Sequence, residues 1–443
     1  MSDNCSRREF IKQTSIVTAG VTLGATAFSS KSYGRILGAN DRVHVAVAGV
    51  RSRGREHILS LSVADNAEVT HVCDVDRRYL DEGAGLVTEK SGQVPVKEKD
   101  IRILLESKDI DAITVATPEH WHAPMSIMAM QAGKHVYVEK PCSHNPAETA
   151  MLINAQQKTG MKVQMGNQQR SSIHTIEAMA KIHNGEIGRP YYGKAWYNNK
   201  RPGIGIGKVV PVPDYLDWEL WQGPAPRRPY KDNIHPYNWH WFWHWGTGET
   251  LNNGTHEVDL CLWALRVGYP QRVKSAGGRY HFHDDWEFYD TLNASFEYDD
   301  QLITWEGKSC NNMEYYGRGR GVTIHGTEGT VLIDRNGYEI YNNDNVQTFK
   351  YEKPVKDATT GLGGGGPMTD AHFQNWINAI RTGEKLNSPI KEGSVSVTML
   401  LLSNIAWKTG RTLNLDSQGK IQKDKSAMKF WGREYEKGWE PEI

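Results

Sequence analysis

The sequence predicts an α/β fold in two domains: an N-terminal doubly wound parallel sheet over residues 41–165 and a second α/β domain over residues 166–420. A tail, 421–443, follows. Three observations carry this reading. Short β-branched runs alternate with helical stretches from Arg42 to Val138. The first of those runs ends in a glycine turn, with an acid at the end of the next. From Tyr191 onward, many short strands are separated by turn-type residues. A chain of 443 residues is long enough to give each domain its own apolar core.

Residues 1–30 are set aside as an address. Ser6-Arg7-Arg8-Glu9-Phe10-Ile11-Lys12 resembles a twin-arginine export signal, and a weakly apolar run over 16–27 ends in Ala25-Thr26-Ala27, a cleavage pattern. That run is too short and too rich in Gly, Thr and Ala for a membrane span. The protein is therefore expected in the periplasm, or otherwise exported by this route, with no span left after cleavage. An ordinary amphipathic N-terminal helix is the alternative.

In the first domain, residues 42–48 (RVHVAVA) form a buried strand ending at Gly49, and Ile58, Leu59, Leu61 and Val63 have helical spacing behind it. Further strands are expected at 67–73, 112–116 and 135–138. A dinucleotide turn needs glycine where the chain turns, where backbone meets pyrophosphate and where helix meets strand. Gly49 and Gly54 take the first and third places, and Arg51 takes the second. Arg51, Ser52 and Arg53 lie where a helix start favours an anion, and a guanidinium there suits a phosphate. Asp74, about 20 residues on, would accept the ribose hydroxyls and repel a 2′-phosphate. This favours NAD, while Arg77 and Arg78 keep NADP open. The bland alternative is a sheet-end loop with no ligand.

The second domain is expected to place strands at 191–198, 272–283, 290–298, 302–307, 321–325, 330–334 and 338–341. Residues 362–367 (LGGGGP) read as a loop, and 369–380 as a helix with Phe373, Trp376, Ile377 and Ile380 on one face. Lysine plus arginine equals aspartate plus glutamate at 52 each, and no basic stripe points to nucleic acid. The five cysteines are scattered, against a zinc cage or a disulfide framework. Fifteen tryptophans suit sugar stacking or core packing.

Oxidising a secondary alcohol requires a base for the hydroxyl proton and a donor that fixes the oxygen. The segment 246–263 is the candidate. On a helix starting near Asn252, the side chains of Asn252, His256, Asp259 and Trp263 share a face, while Val258, Cys261, Leu262 and Leu265 form the docking face. The aromatic run 234–245 could line a pocket. His240/His244 has helical metal spacing without a completing acid, and His281, His283, Asp284 and Asp285 fit a strand edge equally well. No metal is expected at either.

Ile113-Thr114-Val115-Ala116-Thr117-Pro118 with His120 and His122, then Val138-Glu139-Lys140-Pro141, then 164–170 (QMGNQQR) and the 245–263 segment, resemble the glucose–fructose oxidoreductase, inositol dehydrogenase and rhizopine-catabolism (Gfo/Idh/MocA) superfamily. The resemblance implies a Rossmann domain followed by an α/β domain with a large, mostly antiparallel open sheet, and often a homo-oligomer. It implies cofactor contacts from Thr117, Pro118, His120, His122, Glu139, Lys140 and Asn167, and substrate contacts from Arg170, Trp245, His256 and Asp259. Lys140 would hold the reacting oxygen and His256 would be the acid/base. Where many relatives carry aspartate four residues before that histidine, this chain has Asn252, which can orient the ring but gives no charge stabilisation.

The expected activity is an exported NAD(P)-dependent oxidoreductase acting on a secondary hydroxyl of a sugar or polyol, with its cofactor retained. A redox-neutral NAD-dependent glycoside hydrolase, working by oxidation, elimination and readdition, is the alternative. A non-catalytic nucleotide- or sugar-binding protein is the third.

Overall fold

The computed structural model describes residues 42–352 and 366–443. The expected export signal and residues 362–365 of the glycine-rich stretch lie outside them. The first sheet has six parallel strands in the order β3-β2-β1-β4-β5-β6. These are β1 (Val43–Ala48), β2 (Ala67–Cys73), β3 (Val96–Glu98), β4 (Ala112–Val115), β5 (His135–Val138) and β6 (Val163–Met165). β4 is buried throughout, as a strand covered on both faces must be. Helices α1 (Arg53–Val63), α2 (Arg77–Ser91), α3 (Ile101–Glu106), α4 (Glu119–Gln131) and α5 (Pro146–Thr159) make the crossovers. The strand order reverses between β1 and β4, which opens a crevice beyond their carboxyl ends.

The second sheet has ten strands, running β15-β14-β13-β12-β7-β10-β9-β8-β16, with the short β11 (Cys310–Asn311) also on β7. β7 (Pro190–Lys200) follows α6 (Ile173–His183), and α7 (Trp218–Gln222) and α8 (Gly248–Leu265) precede β8 (Arg272–Gly278). The strands β9 (Thr291–Glu297), β10 (Leu302–Lys308), β12 (Arg320–Gly326), β13 (Gly329–Ile333), β14 (Tyr338–Asn342) and β15 (Gln347–Lys350) complete it, with β16 (Leu413–Asn414) at the far edge. Its pairings are antiparallel except β7 with β10. Burial alternates along β10, so one face is covered and the other is half-buried.

α8 docks on the covered face because small residues let it approach. A Cβ on Gly193 would lie 2.9 Å from the Cβ of Cys261, and one on Gly254 would lie 3.0 Å from Trp305. The expected docking residues Val258, Cys261, Leu262 and Leu265 are all buried. The helix starts at Gly248, one turn before the expected Asn252. Asn252-Asn253-Gly254 is a weak helix former, but burial of Leu251 and Gly254 against the sheet overrides that propensity. The strand expected to run to His283 stops at Gly278. Beyond it, the Asp290 carboxylate accepts the backbone N–H groups of Tyr280, His281 and Phe282 at 3.0, 2.8 and 3.2 Å and draws the chain off the sheet.

After the second sheet the chain returns to the first. α9 (Pro367–Thr382) packs Phe373, Trp376 and Ile377 with Val43, Val45 and Val47 of β1, and Phe373 stacks on Tyr137 at 4.2 Å between ring centroids. α10 (Ile390–Thr409) is buried through most of its length and packs on α8, β8 and α5. Among the described residues no helix is long and apolar enough to cross a membrane.

Candidate functional site

A cleft of about 470 Å³ opens at the β1/β4 crevice and continues beneath α8 and the ten-stranded sheet. Its nucleotide end is built by two glycines that nothing larger could replace. Gly49 has φ 76°, and a Cβ there would meet the Ala116 carbonyl oxygen at 2.6 Å; on Gly54 it would sit 1.7 Å from the Gly49 oxygen. At the second glycine position of the pattern stands Arg51, whose guanidinium lies 5.3 Å from the centre of the Tyr79 ring. Gly49, Arg51, Ser52 and Arg53 line the cleft at the start of α1. Gly54 is buried behind them.

Asp74 faces the cleft at the end of β2, its carboxylate accepting from the backbone N–H of Val50 at 3.0 Å and of Asp76 at 2.9 Å. Burial pushes its pKa up to about 6, against those backbone hydrogen bonds. Arg78 donates to Asp76 at 2.7 Å and lies 3.4 Å from the centroid of the Tyr215 ring, so its guanidinium is already engaged. A glycine cradle at a helix start, with a carboxylate at the end of the neighbouring strand, fits NAD.

Thr117, Pro118 and His122 line the cleft after β4. The two ring nitrogens of His122 lie 2.6 Å from the Pro141 carbonyl and 2.7 Å from the Thr117 carbonyl, tying the two turns together. Glu139 also lines the cleft, but its carboxylate is the centre of a buried network. It accepts from Arg53 Nε at 2.7 Å, from His57 Nε2 at 3.1 Å and from Gln168 Nε2 at 3.0 Å. Although burial opposes ionisation, the Arg53 charge and the His57 hydrogen bond hold Glu139 well below the usual carboxylate range.

Lys140, Asn252 and His256 come together at the inner end. Lys140 Nζ donates to the Asn252 backbone oxygen at 2.5 Å and to its Oδ1 at 3.3 Å. Burial lowers the Lys140 pKa, with Glu139 and Glu119 opposing. Burial also holds His256 well below its ordinary value, reinforced by the charges of Arg335, Lys140 and Arg320. The ring is therefore neutral near pH 7, in the form that can accept a proton. Its Nδ1 is buried with no hydrogen-bond partner. Asn252 is one helical turn away but serves Lys140, so the amide that stands in for the relatives' aspartate orients the amine.

Several expected site residues lie elsewhere, and those expectations are corrected. Arg170 and Asp259 form a buried ion pair behind the cleft, with Nε to Oδ2 at 2.7 Å and Nη2 to Oδ1 at 2.9 Å. Their charges satisfy each other and are not presented to a substrate. Trp245 is packed with Trp218 and Trp221 in a separate aromatic core. His120 points away, its Nε2 2.9 Å from the Trp221 carbonyl. Asn167 is buried outside the cleft lining, with both amide atoms lacking partners. The aromatic run divides between interior and cleft: Trp241 stacks on Trp286 at 4.1 Å, while His235, Pro236, Tyr237, Trp239 and His240 line the cleft. Asp284 pairs with Arg279, and Asp285 with Lys231, fastening surface loops.

Other cleft residues carried no strong sequence signal. Glu119 follows Pro118, is buried beside Thr247, and has its pKa raised by burial to about 7. Arg201 pairs with Glu249, and Arg320 pairs with Glu257 at 2.7 Å. Arg335 lies in the β13–β14 turn, where its neighbours Asn336 and Gly337 suggest only a hairpin.

Two family models match the chain. One, described as an oxidoreductase family with an NAD-binding Rossmann fold, covers residues 43–167; the other, the GFO/IDH/MocA C-terminal domain, covers residues 225–332. A glycosyl hydrolase family 109 protein of Shewanella pealeana is 28% identical over 208 residues, which is 43% of this chain and 46% of that protein. A second protein of that description, from Shewanella sp. strain ANA-3, is 28% identical over 211 residues, 44% of this chain and 46% of its own. The chain thus spans about half the length of these relatives.

Among solved structures, levoglucosan dehydrogenase with NADH and levoglucosan superposes with a TM-score of 0.65 at 16% identity, covering 84% of this chain and 99% of that one. An NAD-binding oxidoreductase from Klebsiella pneumoniae gives 0.64 at 17% identity, over 84% of this chain and 98% of its own. These likenesses establish a shared fold. With both family models placed in order and the glycine cradle, strand-end carboxylate and Glu139-Lys140-Pro141 turn at one cleft, this chain belongs to the Gfo/Idh/MocA family.

Proposed function

We propose that this protein is an NAD-dependent oxidoreductase that acts on a secondary hydroxyl of a sugar or polyol. The observation that carries the reading is the convergence of Lys140 and neutral His256 in the cleft that begins at the Gly49 turn. Bound NAD would supply the hydride acceptor. The chain's own residues do the rest. The neutral His256 ring takes the hydroxyl proton as the alcohol is oxidised. Lys140 Nζ, aimed by the Asn252 carbonyl and amide, directs its remaining N–H toward the substrate oxygen and stabilises the charge that develops there. Asp74 would hold the ribose hydroxyls.

The expected export signal supports a nucleotide that stays bound and returns to its starting state in each cycle. A pool of free NAD is not expected outside the cytoplasm. Self-association into a homo-oligomer rests on the resemblance to the family, and light scattering would measure it.

A second reading rests on one specific observation: relatives described as glycosyl hydrolase family 109 proteins. Transient oxidation acidifies a neighbouring C–H, and loss of that proton allows the glycosidic group to leave. Glu119, protonated below about pH 7, could supply the leaving group's proton. A purely binding protein is disfavoured by the presence of both His256 and Lys140 in the cleft.

The test is the absorbance of the purified, desalted protein. Retained nucleotide, and a reduced-nicotinamide band that rises or bleaches when sugars are added, are expected. A folded protein that neither contains nor takes up NAD would end the proposal. Release of a chromogenic aglycone with no added NAD would transfer the assignment to the glycosidase.

A further inference from the structure

The cationic side chains around the inner cleft are not equally neutralised. Arg53 has Glu139 at 2.7 Å, Arg201 has Glu249, and Arg320 has Glu257 at 2.7 Å. Lys140 is flanked by Glu139 and Glu119 and hydrogen-bonded to Asn252. Arg335 is different. It lines the same cleft beside His256, Arg320 and Tyr197, yet no described residue pairs with its guanidinium, and its Nε is buried without a hydrogen-bond partner.

Arg335 is half-buried, with its Nε sealed from water and Glu257, which is paired with Arg320, offsetting only part of its charge, so an anion that completes the guanidinium is favoured. Burial and the neighbouring Arg320 charge push the Arg335 pKa down to about 10, with Glu257 opposing them. The Gly49 turn and the start of α1, at the other end of the cleft, would hold the nucleotide phosphates. Arg335 belongs instead to the sheet domain, on the turn that follows β13, and faces the catalytic histidine.

We propose that Arg335 is a specificity-determining residue, and that the substrate is a sugar carrying an anionic oxygen substituent, a carboxylate or a sulfate ester, held by this guanidinium next to the hydroxyl that reacts. This rests on the oxidoreductase reading of the same cleft. A planar guanidinium meets either group through two N–H donors and fixes the ring's orientation as well as its charge. A neutral sugar would cover Arg335 without pairing its charge, which discriminates against it. Binding also acts on catalysis. After burial, Arg335 is the largest influence disfavouring protonation of His256. An anion on Arg335 offsets that charge, so His256 becomes a stronger base once the correct substrate is seated.

The test uses the full chain with its nucleotide. D-Glucuronate and D-galacturonate, the 6-sulfates of glucose and galactose, and the neutral parent sugars are titrated by calorimetry, with nicotinamide absorbance followed in parallel. At least one anionic probe is expected to bind tenfold or more tightly than its neutral parent, and the stronger class names the substituent. Arg335→Gln should remove the difference, and Arg335→Lys should retain part of it, with circular dichroism showing both variants folded.

Equal binding of anionic and neutral sugars, failure of every anionic probe to bind, or a preference that survives Arg335→Gln would overturn the inference. So would loss of the nucleotide in Arg335→Gln, which would assign the guanidinium to the cofactor. The readouts separate the two claims. Anion-selective binding that never changes the nicotinamide spectrum sinks the oxidoreductase reading, whereas turnover of neutral sugars alone sinks this one.

Discussion

Lys140 Nζ donates to the backbone oxygen of Asn252 at 2.5 Å, joining the end of the parallel sheet to the first turns of the helix that carries His256. The contact fixes the Lys140 amine beside the helix that carries His256. Lys140→Met should therefore lower kcat by about 10²–10³-fold, the cost of losing one preorganised donor. Nucleotide retention should persist. Steady-state kinetics with the desalted protein checks this, and a change confined to KM would reduce Lys140 to substrate positioning.

Asp74 is the strand-end carboxylate facing the nucleotide half of the cleft. Asp74→Ala should weaken NAD binding by about 1.5–3 kcal/mol, the range for hydrogen bonds to a charged group, or roughly ten- to a hundredfold in Kd. Fluorescence titration of stripped protein measures it. Unchanged affinity would move the ribose contact elsewhere.

His57, His120, His144, His240, His256 and His372 are all held below the ordinary histidine value of 6.5, with burial as the leading cause in each. In the unfolded chain they take up protons as pH falls through 6.5, while in the folded chain they stay neutral. Through these six rings the unfolded state binds more protons, which outweighs the opposing uptake by Glu119 and Asp74 in the folded chain, so stability drops as pH is lowered. Melting temperature is expected to fall steadily from pH 7 to pH 5, as scanning calorimetry would record. A flat profile over that interval would contradict the neutral assignment of these rings, His256 among them.

Arg170 and Asp259 are buried together, with side-chain exposures of 11% and 1%. Arg170→Met leaves a buried carboxylate alone and should cost about 3–5 kcal/mol. The paired change Arg170→Met with Asp259→Leu should recover much of this. Urea denaturation of the three proteins decides it, and a single variant as stable as wild type would show that water reaches Asp259.

The nucleotide half of the site was legible in the chain because its chemistry is local. Gly49, Gly54 and Asp74 sit at strand ends whose apolar runs announce themselves, and the close backbone approaches measured at both glycines are the reason glycine stands there. His256 and Lys140 were legible through the motifs around them. Trp245, Arg170 and Asp259 were not placed correctly from sequence, because a polar or aromatic residue near a motif serves a pocket or an interior equally well until its partners are known. Trp245 found Trp218 and Trp221, and Arg170 found Asp259 across 89 positions of chain.

By itself, then, the sequence determined the alternation that makes the parallel sheet, the nucleotide turn and the identity of the acid/base candidates, since each depends on neighbours a few positions away. Tertiary structure alone decided which charges are spent and which are offered. Arg320 and Arg335 stand fifteen positions apart, at the start of β12 and just past the end of its neighbour β13, yet only folding brings Glu257 to pair with the first and leaves the second facing the cleft. Ion pairing over long separations is set by how helices and sheets close on each other, and no local pattern encodes it.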